Sequence, residues 1–258
     1  MQIFNMVGGL LARYLEGPSK GEVPVSTCTP EQLKATLRKG DVLLVEGSSR
    51  FSTAVKYLTQ STWSHASLYV ADGLETQNHD TEGEELLEAD VIEGVRRVPL
   101  SMYWNLHTRI CRPVGITAEE IDQIVAYAIS RIGHQYDLKN VIDLARYLIQ
   151  TPPVPTHWRR RMLALGSGDP TRAICSSLVA QAFQSIQYPI LPESVVEKSK
   201  NSSCRDCYRE YLHIRHHSLF TPRDFDISPY FQVVKPTLEN EFDPHNLAWI
   251  GENKQDSV

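Results

Sequence analysis

Cys175, His65 and Glu88 are the residue types that run nucleophilic acyl chemistry: a thiol to attack, an imidazole to move protons, and a carboxylate to orient the imidazole. Cys175 stands in Asp169–Gln187, DPTRAICSSLVAQAFQSIQ. Asp169, Pro170 and Thr171 form turns, and the apolar residues Leu178, Val179, Ala182, Phe183 and Ile186 then recur at helical spacing. The pattern delivers Cys175 into the first turn of a buried helix. There, unsatisfied backbone N–H groups and the positive end of the helix dipole favour a thiolate and can hold an oxyanion. The local pattern also fits a plain alternative, a small thiol buried as core.

His65 opens the stretch HASLYV, at the mouth of a strand, and Glu88 interrupts the apolar run LLEAD. A carboxylate in such a run needs a partner or solvent, because an unpaired buried charge is costly. Asp90 and Glu93 stand close enough to take the same role in another register. Other chemistries have weaker sequence support. The chain has no G-x-x-x-x-G-K-[ST] or G-x-G-x-x-G loop, no H-E-x-x-H helix and no G-x-S-x-G elbow. Cys204 and Cys207, with His213 and His216 behind them, are the zinc candidates, but the two pairs are closer together than in Cys/His zinc motifs. A redox pair at Cys204-x-x-Cys207 lacks the flanking strand–turn–helix pattern. Ordinary loop cysteines are the simpler reading, and no cofactor is expected.

The elements that must position these groups are legible in outline. Thr29-Pro30-Glu31-Gln32 is a capping box that opens a helix with Leu33 and Leu37 on one face, closed by Gly40. Val42–Val45 is a continuous apolar run, as in a strand covered on both faces. Residues 48–60 read as a helix with Phe51, Val55 and Leu58 inward, and 66–70 as a second central strand. Residues 86–89 and 91–100 form a hairpin-like pair, and 109–114 a further strand. Thr117-x-x-Glu120 is a second capping box, and Ile121, Ile124, Val125, Ala128 and Ile132 follow at core spacing up to Gly133. A helix is expected near 139–149, then a basic piece carrying Arg159–Arg161, read as a solvated face. Residues 193–203 read as a charged, serine-rich stretch, and 231–234 as a short strand.

The chain has 258 residues and a net charge of −5, with 41% hydrophobic and 22% charged residues. That supports one α+β domain and excludes a broad nucleic-acid footprint. Five cysteines in an odd, irregular set favour a reducing compartment over a disulfide scaffold. No apolar run reaches the ~18–20 residues of a membrane span, and the first residues lack a basic n-region, so a cytoplasmic location is expected. Residues 1–28 read as a leading segment with a short helix, 29–236 as the catalytic domain and 237–258 as a tail. The sequence does not speak to oligomeric state.

GDVLLVEG, TWSHASLYV, Leu87-Glu88-Ala89, Gly133-x-x-Tyr136-Asp137, Ile174-Cys175-Ser176-Ser177-Leu178-Val179 and Thr221-Pro222-Arg223-Asp224-Phe225 occur in one order. Together they resemble the circularly permuted branch of the NlpC/P60 papain-like superfamily, the YiiX/YebB-type cysteine hydrolases related to the lecithin-retinol acyltransferase group. The resemblance implies a permuted papain-like fold, a mainly antiparallel sheet packed against the helix that bears the cysteine. It implies Cys175 as nucleophile, His65 as general base and later acid, Glu88 as the orienting group, and Tyr136 beside the oxyanion. The implied activity is cleavage of an amide through a thioester, with a small peptide or amide as substrate. A lipid-directed thiol esterase or acyltransferase, acting on an acyl-lipid, is the alternative; a non-catalytic binding module keeping the fold is a further one.

Overall fold

The computed structural model describes residues 17, 25–70, 83, 85–90, 93–134, 174–198, 208–213, 215–240, 242, 243 and 245. The N-terminal helix, the 139–149 helix, the Arg159–Arg161 run, Tyr136, Cys204 and Cys207 lie outside them.

The strands β1 (Val42–Glu46), β2 (His65–Tyr69), β3 (Leu86–Asp90), β4 (Gly94–Val98), β5 (His107–Pro113) and β8 (Phe231–Val234) form a six-stranded sheet in the order β4-β3-β2-β1-β5-β8. Every neighbouring pair is antiparallel. β1 lies inside the sheet, pairing Val42↔Leu68 on one side and Val42↔Cys111 on the other. Its backbone is satisfied from both sides, and its side chains face two cores. Val42, Leu44, Ala66, Leu68, Leu87 and Ala89 face α3 (Ala118–Ile129) and α4 (Ile174–Gln184). Leu43, Val45, Tyr69, Leu86 and Val98 face α1 (Pro30–Thr36) and the three-ten turn Leu100–Tyr103. This double cover explains why the central strands carry unbroken apolar runs. The chain is α+β, a mainly antiparallel sheet with helices on both faces.

Helix starts follow their caps. In α1 the Thr29 hydroxyl accepts from Gln32 N–H while the Gln32 side chain accepts from Thr29 N–H. Thr117 and Glu120 close the same reciprocal pair at α3. The connection from α1 into β1 passes through Gly40, whose φ is +88° and whose N–H donates to Tyr69 O at 2.9 Å. A Cβ added there would meet Ile121 Cγ2 at 3.0 Å, so glycine is required on two grounds.

Three expectations change. In α2 (Arg50–Thr59) the buried residues are Ser52, Ala54 and Val55, while Phe51 and Leu58 are only partly covered. The helix packs small side chains down where Gly47 lies against Ser52, leaving no room for a Cβ on the glycine. Ile132 is exposed: α3 ends at Ile129, before the apolar spacing does. The stretch read as serine-rich and irregular instead begins with β6 (Glu193–Lys198), which pairs with β7 (Tyr208–His213) from Glu193↔His213 to Lys198↔Tyr208. Only Val195 and Val196 mark β6 as a strand in the sequence, too short a signal to stand out.

Candidate active site

Cys175 is the second residue of α4 and is buried. The helix lies against β2 and β3 and is pinned at both ends to one later segment. Ser176 Oγ donates to Phe220 O at 2.7 Å, and Gln184 Nε2 donates to Arg215 O at 2.6 Å. Leu178, Val179, Ala182 and Phe183 fill the face turned to the sheet, all essentially without solvent exposure. Phe183 packs edge-on to Phe231 at 5.1 Å between ring centroids and lies 5.5 Å from Tyr188. A buried aromatic of this kind contributes about 1.5–3 kcal/mol, enough to hold the helix register against the sheet.

His65 is the first residue of β2 and pairs with Val45. Its approach is fixed by Ser64, whose N–H donates to Val45 O at 3.1 Å and whose hydroxyl accepts from Gly47 N–H at 2.9 Å. Trp63, one residue earlier, donates through Nε1 to Asp226 Oδ2 at 3.0 Å. Arg109 donates to the other oxygen of Asp226 at 2.5 Å and lies over the Trp63 ring at 4.8 Å. The residues entering β2 are therefore tied to α5 (Pro222–Asp226), which follows the Phe220 carbonyl that anchors the Cys175 helix.

Glu88 sits in the middle of β3 and is 2% exposed. Strand alternation turns Glu88 and His65 to the same side as Tyr103, opposite the α4 layer. His65 Nε2 lies 2.7 Å from Glu88 Oε2. The cross-strand partner of Glu88 is Arg96, whose Nε donates to Oε1 at 3.0 Å and whose Nη2 lies 2.9 Å from the same oxygen. The Tyr103 hydroxyl donates to Glu88 Oε2. The ladder between β2 and β3 runs only through Leu68↔Leu87 and Tyr69↔Leu86, away from His65. The thiol meets the imidazole at the first residue of β2.

The electrostatics follow from these contacts. Burial opposes a charge on Glu88, but the imidazole, the Tyr103 hydroxyl and the Arg96 guanidinium outweigh it and hold the carboxyl at about 2. Burial likewise disfavours the His65 imidazolium. The Cys175 sulfur, which is hydrogen-bonded to the ring, and the Glu88 carboxylate reverse that and raise it well above the ordinary histidine value. Burial, and then Glu88, push the Tyr103 phenol up, so it remains a donor throughout the working pH range. With Nε2 turned to Glu88, Nδ1 is the nitrogen left for the thiol.

Of the residues singled out in the sequence, Cys175, His65 and Glu88 lie together. Asp90 and Glu93 both turn to Arg96, Asp90 at 3.6 Å. The side chain of His213 is outside the described set, and His216 stacks on His217 at 4.1 Å. Among the described residues no group of three or more His, Cys, Asp or Glu side chains is placed to hold a metal ion. Sequence reasoning missed Arg96 and Tyr103. Hairpin pairing about Glu93-Gly94 puts Arg96 opposite Glu88 and could have found the first; nothing local marks the second.

The comparisons with known proteins address the same region. The sequence profile described as permuted papain-like amidase enzymes, YaeF/YiiX, matches residues 36–147. Over that stretch, a little under half of the chain, the sequence is similar to the permuted papain-like, YiiX-type family. The matched stretch contains His65, Glu88, Arg96 and Tyr103 and ends before Cys175. A crystal structure of the metalloprotein yiiX from Escherichia coli O157:H7 is similar to this chain with a TM-score of 0.43 and 15% sequence identity, covering 77% of this chain and 96% of its own. No curated protein matches. The matched family is described as one of papain-like amidase enzymes. No helix among the described residues is long and apolar enough to cross a membrane.

Proposed function

We propose that the protein is a cysteine amidase that cleaves a small peptide or other amide through a Cys175–His65–Glu88 triad and a thioester. The observation that carries this reading is the imidazole held between a buried carboxylate at 2.7 Å and a thiol hydrogen-bonded to the ring. A raised imidazole is charged at neutral pH, and a positive ring beside sulfur, at a helix N-terminus, favours thiolate. The Cys175 thiolate attacks the amide carbon, and the carbonyl π electrons move to oxygen. The first-turn N–H groups of α4 stabilise the resulting oxyanion. As the C–N bond breaks, the His65 imidazolium gives its proton to the departing amine, leaving a Cys175 thioester and neutral imidazole. Water then attacks the thioester while His65 takes its proton. The acid product leaves, and the thiolate–imidazolium pair is restored.

Tyr103 does not serve the oxyanion, because its one proton is committed to Glu88. That role stays with the α4 N-terminus and, by family resemblance, with Tyr136. The test is the hydrolysis rate on a panel of small amides and esters for wild type, Cys175→Ala and His65→Ala. Both variants should lose at least about a thousandfold. The wild type should also show a thioester mass adduct on Cys175 after rapid quenching. Activity that survives Cys175→Ala removes the cysteine from the mechanism.

A further inference from the structure

We propose that Arg96 and Tyr103 are positioning residues that act on His65 through Glu88, locking its carboxylate so that one oxygen faces the imidazole. The proposal rests on the triad reading above and goes beyond it. A carboxylate has about four acceptor positions on its two oxygens. Here four donor groups meet it. Arg96 Nε and Nη2 take Oε1 at 3.0 and 2.9 Å. His65 Nε2, at 2.7 Å, and the Tyr103 hydroxyl take Oε2. Every acceptor position is used, so rotation of this buried carboxylate would break at least two charge-assisted bonds.

The two clamps do different work. Arg96 supplies charge and approaches from the neighbouring strand in register, which sets the height of the carboxylate along β3. The rest of its guanidinium is held by Glu93 and Asp90, so it is itself fixed at the β3–β4 turn. Tyr103 supplies no charge. It fills the second acceptor position on Oε2, so the line from Oε2 to Nε2 is the one direction left for the imidazole. Its ring centroid lies 5.9 Å from that of His65 and backs the imidazole from the side. Among the described residues, the groups that face His65 are Glu88 from β3, with Arg96 of β4 behind it, Tyr103 from the three-ten turn, Cys175 from α4, and the apolar Val45 of β1 alongside.

Positioning and mere structural support differ in what they move. Tyr103→Phe keeps the ring packing and deletes one donor; Arg96→Gln deletes the charge and keeps a donor; Arg96→Lys restores the charge without the fork. Three readouts are taken on the full chain: the His65 imidazole titration by NMR, kcat and KM across pH, and the thermal midpoint. Tyr103→Phe and Arg96→Gln should each lower kcat roughly 10–100-fold with KM little changed. Each should also shift the high-pH limb of kcat and the His65 titration by the same amount, and Arg96→Lys should recover part of the Arg96→Gln loss. If kcat falls only with the folded fraction, or the His65 titration stays put in both variants, the positioning role is wrong. The imidazole titration needs no substrate. A wild type with no Cys175-dependent turnover therefore refutes the triad reading, while the titration still decides whether the clamp acts on His65.

Discussion

Replacing Glu88 by Gln removes the charge and turns one of its two acceptor oxygens into a donor, so it tests what the buried carboxylate does for His65. Glu88 is ionised down to about 2 against an ordinary value of 4.5 although it is 2% exposed. That difference, about 2.5 pH units at 1.36 kcal/mol each, amounts to about 3 kcal/mol of net preference for the charged form. The same interaction read from the other partner is what overcomes burial and keeps the imidazolium charged. Burial works against the charge, so His65, Arg96 and Tyr103 together supply more than this net figure. An opposite charge at this range is worth about 1–3 pH units to a titrating neighbour. The expected result for Glu88→Gln is a His65 titration displaced downward by that amount. The high-pH limb of kcat should follow it, and turnover near neutrality should fall by roughly 100-fold or more. NMR of ring-labelled histidine gives the first quantity, and a pH–rate profile gives the second. An imidazole that titrates as in wild type, in a folded Glu88→Gln protein, would refute the argument.

Acid should act through the same group. A carboxyl depressed in the folded state contributes stability in full above its unfolded value of 4.5, and loses it as pH falls towards 2. The raised imidazole contributes in full below 6.5 and loses it as pH climbs through its higher folded value. The urea midpoint of the wild type should therefore fall between about pH 4.5 and 2 more steeply than that of Glu88→Gln; parallel curves would assign acid sensitivity to other carboxylates. Gly40→Ala places a Cβ at φ +88° and 3.0 Å from Ile121. It should lower stability by about 1–2 kcal/mol in urea unfolding, and an unchanged midpoint would mean the β1 entry turn relaxes freely.

The sheet was legible where burial wrote it into composition. Val42–Val45 reads as an unbroken apolar run because β1 is covered on both faces, and α1 and α3 announce themselves through capping boxes closed by their own side chains. The β6–β7 hairpin was not legible, since its stability lies in backbone pairing between segments with few apolar residues. The site shows the same division. Cys175 carries a local signal, a helix start, and His65 carries another, a strand start. The choice among Glu88, Asp90 and Glu93 depends on register across β3 and β4, a non-local property that only the folded sheet fixes. Tyr103 reaches Glu88 from a three-ten turn on another element, and no spacing within either segment predicts that meeting.

The order of these elements along the chain also governs when the protein becomes reactive. The imidazole, its carboxylate and both clamps arise from β2, β3, β4 and the turn that follows, a run of neighbours joined by antiparallel pairing. The sulfur arrives much later in synthesis, and its helix is held by carbonyls of Arg215 and Phe220 that emerge later still. Until that last segment docks, Cys175 has no imidazolium beside it and behaves as an ordinary thiol. On the proposed mechanism, a nascent or partly unfolded chain therefore carries an ordinary thiol, and the nucleophile forms with completion of the fold.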